Sequence, residues 1–116
     1  MASRPYHKSF LLTNASAELT TGLGDQECLQ ISNAYYVNTS ASGVTVNANS
    51  AYDGGAAATG NVAEIDKPLD AKATSGSALT GSVLNPGEAL YSHASVTNVV
   101  TLHINGIIST QNSRSF

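Results

Sequence analysis

Charge is what this 116-residue sequence has least of: Asp, Glu, Lys and Arg make up 11% of it, less than half the usual share of about 25%. Five Lys plus Arg stand against eight Asp plus Glu, for a formal net charge of -3. So few cations cannot build a basic groove, which excludes nucleic acid as a partner. Long apolar runs are missing too, and nothing approaches the roughly 18 residues of a membrane-crossing helix. The start, Met1 to Lys8, is polar, and only Phe10-Leu11-Leu12 follows. That is too short for the apolar segment of a secretion signal. Cys28 is the single cysteine. No intrachain disulfide can form, so a fold made in a reducing compartment is expected. Tryptophan is absent, and with it the ring that most readily stacks on a sugar.

What is present is small and neutral. Ser, Thr, Asn and Gly supply 46 residues, and Leu, Ile, Val and Phe only 25. A core that modest still outweighs self-repulsion when the net charge is low, so a folded single domain is expected. Helix-favouring Glu, Lys, Arg and Gln are scarce, and small polar residues interrupt every stretch. The Ala56-Ala57-Ala58 run between glycines is too short to nucleate a helix and reads as a loop.

Strand periodicity recurs instead. Val44, Val46 and Ala48 alternate with Thr45, Asn47 and Asn49, which sends the first set inward and the second outward. Val100, Leu102 and Ile104 form a second inward set, with Thr101 and His103 outward. Leu29 and Ile31 begin a third strand whose phase is lost by Tyr35-Tyr36-Val37, so a bulge is expected near Ser32-Asn33. Shorter strands are expected over 9–13, 17–21, 62–65, 79–84, 88–92 and 107–110. Turn signals separate them: Gly22-Leu23-Gly24-Asp25, residues 38–43, Asp53-Gly54-Gly55 and Asn85-Pro86-Gly87. Asp66 to Ser77, with Pro68 and Ser75-Gly76-Ser77, reads as an irregular excursion. The spacing predicts an all-β fold, a small antiparallel sandwich of jelly-roll or immunoglobulin-like type. Its domain spans residues 9–110, with an N-terminal arm over 1–8 and a C-terminal tail over 111–116.

Candidate chemistry is thin. A hairpin turning near Asn98 would set His93 opposite His103, but zinc wants three or four ligands and no further ligand is evident. Cys28 beside Leu29 reads as a small core residue rather than a nucleophile. Glu64, Asp66 and Asp70 read as a solvated loop. Gly22-Leu23-Gly24 lacks the rest of a phosphate-binding fingerprint. Asn14-Ala15-Ser16 and Asn38-Thr39-Ser40 match the glycosylation triplet by chance. No catalytic residue, metal or cofactor is assigned, and an enzyme is not expected. Of Tyr35 and Tyr36, one must face the core and the other can anchor an interface or stack a sugar. A surface of Ser, Thr and Asn suits contact with other proteins, because few charges lose water on docking.

Several segments together carry a resemblance. They are Phe10 to Thr13, Tyr36-Val37-Asn38-Thr39-Ser40, Val44-Thr45-Val46, Leu84-Asn85-Pro86-Gly87-Glu88-Ala89-Leu90 and Val99-Val100-Thr101-Leu102. Across roughly two thirds of its length the chain resembles the small β-sandwich virion proteins of tailed bacteriophages, of the capsid decoration or cement type. Asp53 to Ser77 departs from the pattern. The resemblance implies a structural protein of the phage head, made in the host cytoplasm, that bridges capsid subunits. Its partners would be the major capsid protein or other virion proteins, and it would form a homotrimer at three-fold junctions. Its terminal segments would reach neighbours through Arg4, Tyr6, Lys8, Phe10 and Phe116. A neck or tail component, or a glycan-binding module of a fibre or capsid tip, is the alternative.

Overall fold

The structure is a computed structural model that describes residues 3–24, 26–51 and 61–110. The described residues form nine strands: β1 (Ser3–Leu11), β2 (Ala17–Glu18), β3 (Glu27–Asn38), β4 (Val44–Ala51), β5 (Val62–Leu69), β6 (Thr74–Gly76), β7 (Val83–Leu84), β8 (Ala89–Ala94) and β9 (Val100–Thr110). No α-helix occurs among the described residues. Sheet A runs in the order β1-β9-β3-β6, with β7 also pairing β3, and sheet B runs β2-β8-β4-β5. All pairings are antiparallel. The chain is a β-sandwich.

Alternation builds the core. Val44, Val46 and Ala48 from sheet B are buried, as are Val100, Leu102 and Ile104 from sheet A. They meet Leu29, Ile31, Ala34 and Tyr36 of β3 in one cluster. The expected phase change in β3 is present: its register with β9 shifts between Ile31 and Asn33. The extra residue turns Ala34 and Tyr36 inward where strict alternation would have turned out the even positions. Asn85-Pro86-Gly87-Glu88 closes a turn in which the Glu88 N–H donates to the Asn85 carbonyl at 3.0 Å. Gly87 there has φ 85°, the left-handed value a Pro-Gly type II turn requires.

Three expectations are corrected, and residues 3–8 of the expected arm are placed in β1, which begins at Ser3 and pairs with β9 as far as Leu11. An edge strand tolerates Pro5 and needs an apolar pattern on one side only. His93 and His103 do not face each other. β8 lies in sheet B and β9 in sheet A, and the chain crosses between them through Asn98 (φ 64°). The stretch 66–77 is not one loop, since β5 continues through Pro68 to Leu69 and β6 follows. Pro68 is accommodated because β5 is the edge of sheet B. The strand expected over 79–84 shrinks to Val83–Leu84, and the fully buried Leu79 sits in the preceding turn. The Asp53-Gly54-Gly55 turn, the alanine loop and the C-terminal tail lie outside the described residues.

Candidate protein-interaction surface

The β1 side chains divide by parity. Arg4, Tyr6, Lys8 and Phe10 point to the sandwich side, opposite Ile108, Gly106, Ile104 and Leu102. Arg4 donates to Glu27 at 2.7 Å. The guanidinium hydrogen bond, with a second from the Gly24 N–H, holds the Glu27 carboxyl below the ordinary carboxylate range. The Tyr6 hydroxyl donates to the Thr21 carbonyl at 2.7 Å, and burial pushes its pKa up to about 12. Lys8 donates to the Thr20 carbonyl and stands 5.7 Å over the Phe10 ring. Phe10 itself is buried in the core. All four side chains, expected to reach a neighbour, are engaged inside this chain. They pin β1 to the segment that follows β2. Phe116 lies outside the described residues.

The opposite parity of β1 joins β9, β3, β6 and β7 in the outer face of sheet A. Register places its residues in rows across the strands. Pro5, Ile107, Gln30 and Val83 make one row, and Leu11, Thr101, Val37 and Thr74 another. Between them lie the rows Ser9-His103-Tyr35-Gly76 and His7-Asn105-Asn33. Among the described residues of this face there is no Asp, Glu, Lys or Arg. It nevertheless exposes Leu11 (59%), Val83 (49%) and Ile107 (48%). Ile107 and Val83 share a row, and Leu11 stands at the other end of the face.

Rings occupy its middle. Tyr35 stacks on His103 with centroids 4.8 Å apart and planes 16° apart, and His7 stacks on the other side of His103 at 6.1 Å and 19°. The His7 Nδ1–H donates to Asn105 Oδ1 at 2.5 Å, and His103 Nδ1 and Ser9 Oγ are hydrogen-bonded at 2.8 Å. Both imidazoles are thus fixed from below by neutral partners. Opposite Tyr35 on β6 is Gly76, around which a side chain would meet nothing. One side of the tyrosine ring is therefore stacked and the other open.

The remaining candidates are placed elsewhere. His93 lies in β8 opposite Asn47, with its Nδ1 buried and without a hydrogen-bond partner. Cys28 is half-buried at the end of the outer face of sheet A, opposite Ser109. Glu64 accepts hydrogen bonds from Tyr36 and Ser77. Asp66 (φ 48°) donates its N–H to Asn47. Asn38 is buried and donates to the Ser42 and Asp70 carbonyls, so its glycosylation triplet is closed off. Among the described residues no three of His, Cys, Asp and Glu converge as metal ligands. A shallow hollow of about 530 Å³ gathers Glu18, Glu27 and Glu88. Glu27 is held there by Arg4, and Glu88 accepts from the Asn85 N–H. Another, about 320 Å³, opens between β1 and β2 over Phe10, Leu12 and Leu19. The outer face of sheet A was not legible as a surface, because its rows take residues from five separated segments.

No protein-family model matches the chain, and no curated protein matches it. Solved structures that match the chain include these two. A chain from the Bacillus endospore appendages, described as disulfide-linked pili, is 14% identical with a TM-score of 0.51, covering 96% of this chain and 88% of that one. A chain from infectious bursal disease virus, Gx strain, is 14% identical with a TM-score of 0.47, covering 99% of this chain and 33% of that one. The appendage likeness is one of fold: this chain shares its β-sandwich architecture.

Proposed function

We propose that the chain is a structural subunit of a particle or fibre, and in the narrower form a capsid decoration (cement) protein that bridges shell subunits of a phage head. The observation that carries the reading is the outer face of sheet A, which is exposed and free of formal charge. Burying such a face costs little, since no ion loses its water. The same fold in a pilus chain adds a precedent for assembly. The engaged side chains of β1 leave the attachment of neighbours to sheet faces and to the C-terminal tail ending in Phe116. Attachment to a repeating shell multiplies weak contacts, and a trimer suits a junction of three subunits. Each bound copy would stabilise the assembled shell over free subunits.

Adding purified protein to shells that lack it tests this directly. Cosedimentation and a raised shell melting temperature are expected, and shells that neither bind it nor gain stability would overturn the proposal. A glycan-binding module is the alternative. It would stack a sugar on the side of Tyr35 that Gly76 leaves open, and a glycan array with Tyr35→Ala as control decides it.

A further inference from the structure

We infer that Phe116 of one copy docks in the apolar hollow between β1 and β2 of another copy, its tail adding a strand along the open edge of β1. The inference rests on the structural-subunit reading and gives the tail named there a place to bind.

The sheet edges carry it. β1 pairs with β9 alone, and its register runs from Ser3 to Leu11 without a shift. Just beyond it, the Leu12 N–H donates to the Val100 carbonyl at 2.9 Å. Backbone groups alternate sides along a strand, so those of Ser9 and Leu11 face away from β9. Both residues line the hollow. Pro5 shares that outward parity, where its missing N–H removes no ladder bond. The edge at β5 is blunted instead by Pro68, by two register shifts against β4 and by Asp66 at φ 48°. β2, β6 and β7 are only two or three residues long. Among the described residues β1 is thus the long regular edge left open, the feature on which an added strand forms.

Reach excludes the chain's own tail. Phe10, on the floor of the hollow, pairs with Leu102, eight residues before Thr110. The end of β9 therefore lies about 27 Å away at the strand rise. Phe116 follows Thr110 by six residues, no more than about 22 Å of extended chain. β9 also runs away from the hollow, so the tail would first have to turn back. A copy stacked beyond that end in the same orientation presents its Leu12 end first. A tail continuing the course of β9 then runs antiparallel to the β1 it meets, as an added edge strand can.

Chemistry fits the tail to the site. The floor is Phe10, Leu12 and Leu19, and Phe116 is the single large apolar residue after Thr110. In an extended strand Arg114 falls on the same side as Phe116, towards the exposed Glu18 on the rim. Lys8, the rim's cation, is occupied by the Thr20 carbonyl. The contact is head to tail, so it closes a ring or runs on as a fibre according to the rotation between copies.

Sedimentation velocity of the full chain from low to high micromolar concentration tests it, with Phe116→Ser in the tail and Leu11→Pro at the open edge. Leu11 is exposed and its N–H faces away from β9, so the proline breaks no ladder bond. A thermal melt verifies each fold, and Glu18→Arg replaces Leu11→Pro if that fold is lost. The wild type is expected to self-associate, and each variant alone to do so roughly tenfold or more weakly. An equimolar mixture of the two variants should recover a dimer, one supplying the hollow and the other the tail. A monomeric wild type, association undiminished in either variant, or no recovery on mixing would overturn the inference. Cosedimentation with shells separates the two readings: a monomer that still binds shells overturns this inference alone, and self-association without shell binding sinks the shell role alone.

Discussion

The Tyr36 hydroxyl donates to a carboxylate oxygen of Glu64 at 2.5 Å, joining a buried residue of β3 in sheet A to β5 in sheet B. The same oxygen accepts from Ser77 Oγ at 2.6 Å, and the other accepts from the Ala78 N–H at 3.2 Å. Tyr36 has no exposed surface. The two sheets are thus tied by a polar bond through the sandwich as well as by packing.

Glu64→Ala leaves the Tyr36 and Ser77 hydroxyls without their acceptor and is expected to lower stability by about 2–3 kcal/mol. Tyr36→Phe breaks the same bond from the other end. Since both remove one interaction, the double variant Tyr36→Phe/Glu64→Ala should lose less than the sum of the two. Urea unfolding of the four proteins measures this, and strictly additive losses would show that the contact is not energetically coupled.

Burial first, and then the hydrogen bond to Glu64, raises the pKa of the Tyr36 hydroxyl above the ordinary phenol value. Burial alone pushes Tyr6 up to about 12. A phenol in the unfolded chain ionises near pH ~10. The folded state therefore holds protons that the unfolded state releases, and stability falls as pH rises from about 10 towards 12. Tyrosinate absorbance and circular dichroism, followed together, should show Tyr6 and Tyr36 ionising only as the sheets are lost. Ionisation of Tyr6 and Tyr36 near pH ~10 with the fold intact would contradict this.

Gly106 faces β3 beside the register shift, paired with Ile31. A Cβ there would strike the Gln30 carbonyl oxygen well inside van der Waals contact, and would crowd Leu29 Cδ1 at 3.1 Å. The obstacle is backbone and cannot swing aside. Gly106→Ala is expected to cost on the order of 3 kcal/mol, visible as a lowered urea midpoint. A midpoint within error of the wild type would mean that β3 and β9 can separate locally without penalty.

Much of the fold was legible because it rests on period-two alternation. The bulge in β3 could be read from the lost phase between Ile31 and Tyr36, and the inward sets of β4 and β9 from Val44-Val46 and Leu102-Ile104. β1 was hidden because Arg4, Pro5, His7 and Lys8 look like a polar arm. An edge strand over the sandwich seam satisfies Arg4 and Lys8 with Glu27 and the Thr20 carbonyl, contacts that no local pattern announces. The pairing of His93 with His103 failed for a related reason. Two strands close in sequence are usually partners, but here the chain changes sheets between Ala94 and Val100. The interaction face was out of reach for the same cause, since only the sheet order sets Leu11, Val37, Val83 and Ile107 on one surface.

The central claim is that this chain is a building component of a particle, and counting its copies tests that most directly. Quantitative mass spectrometry of particles purified from the source of the chain should find it at a copy number comparable to that of the main shell protein. Its absence from the particles, with the protein recovered only in the soluble fraction, would contradict the account.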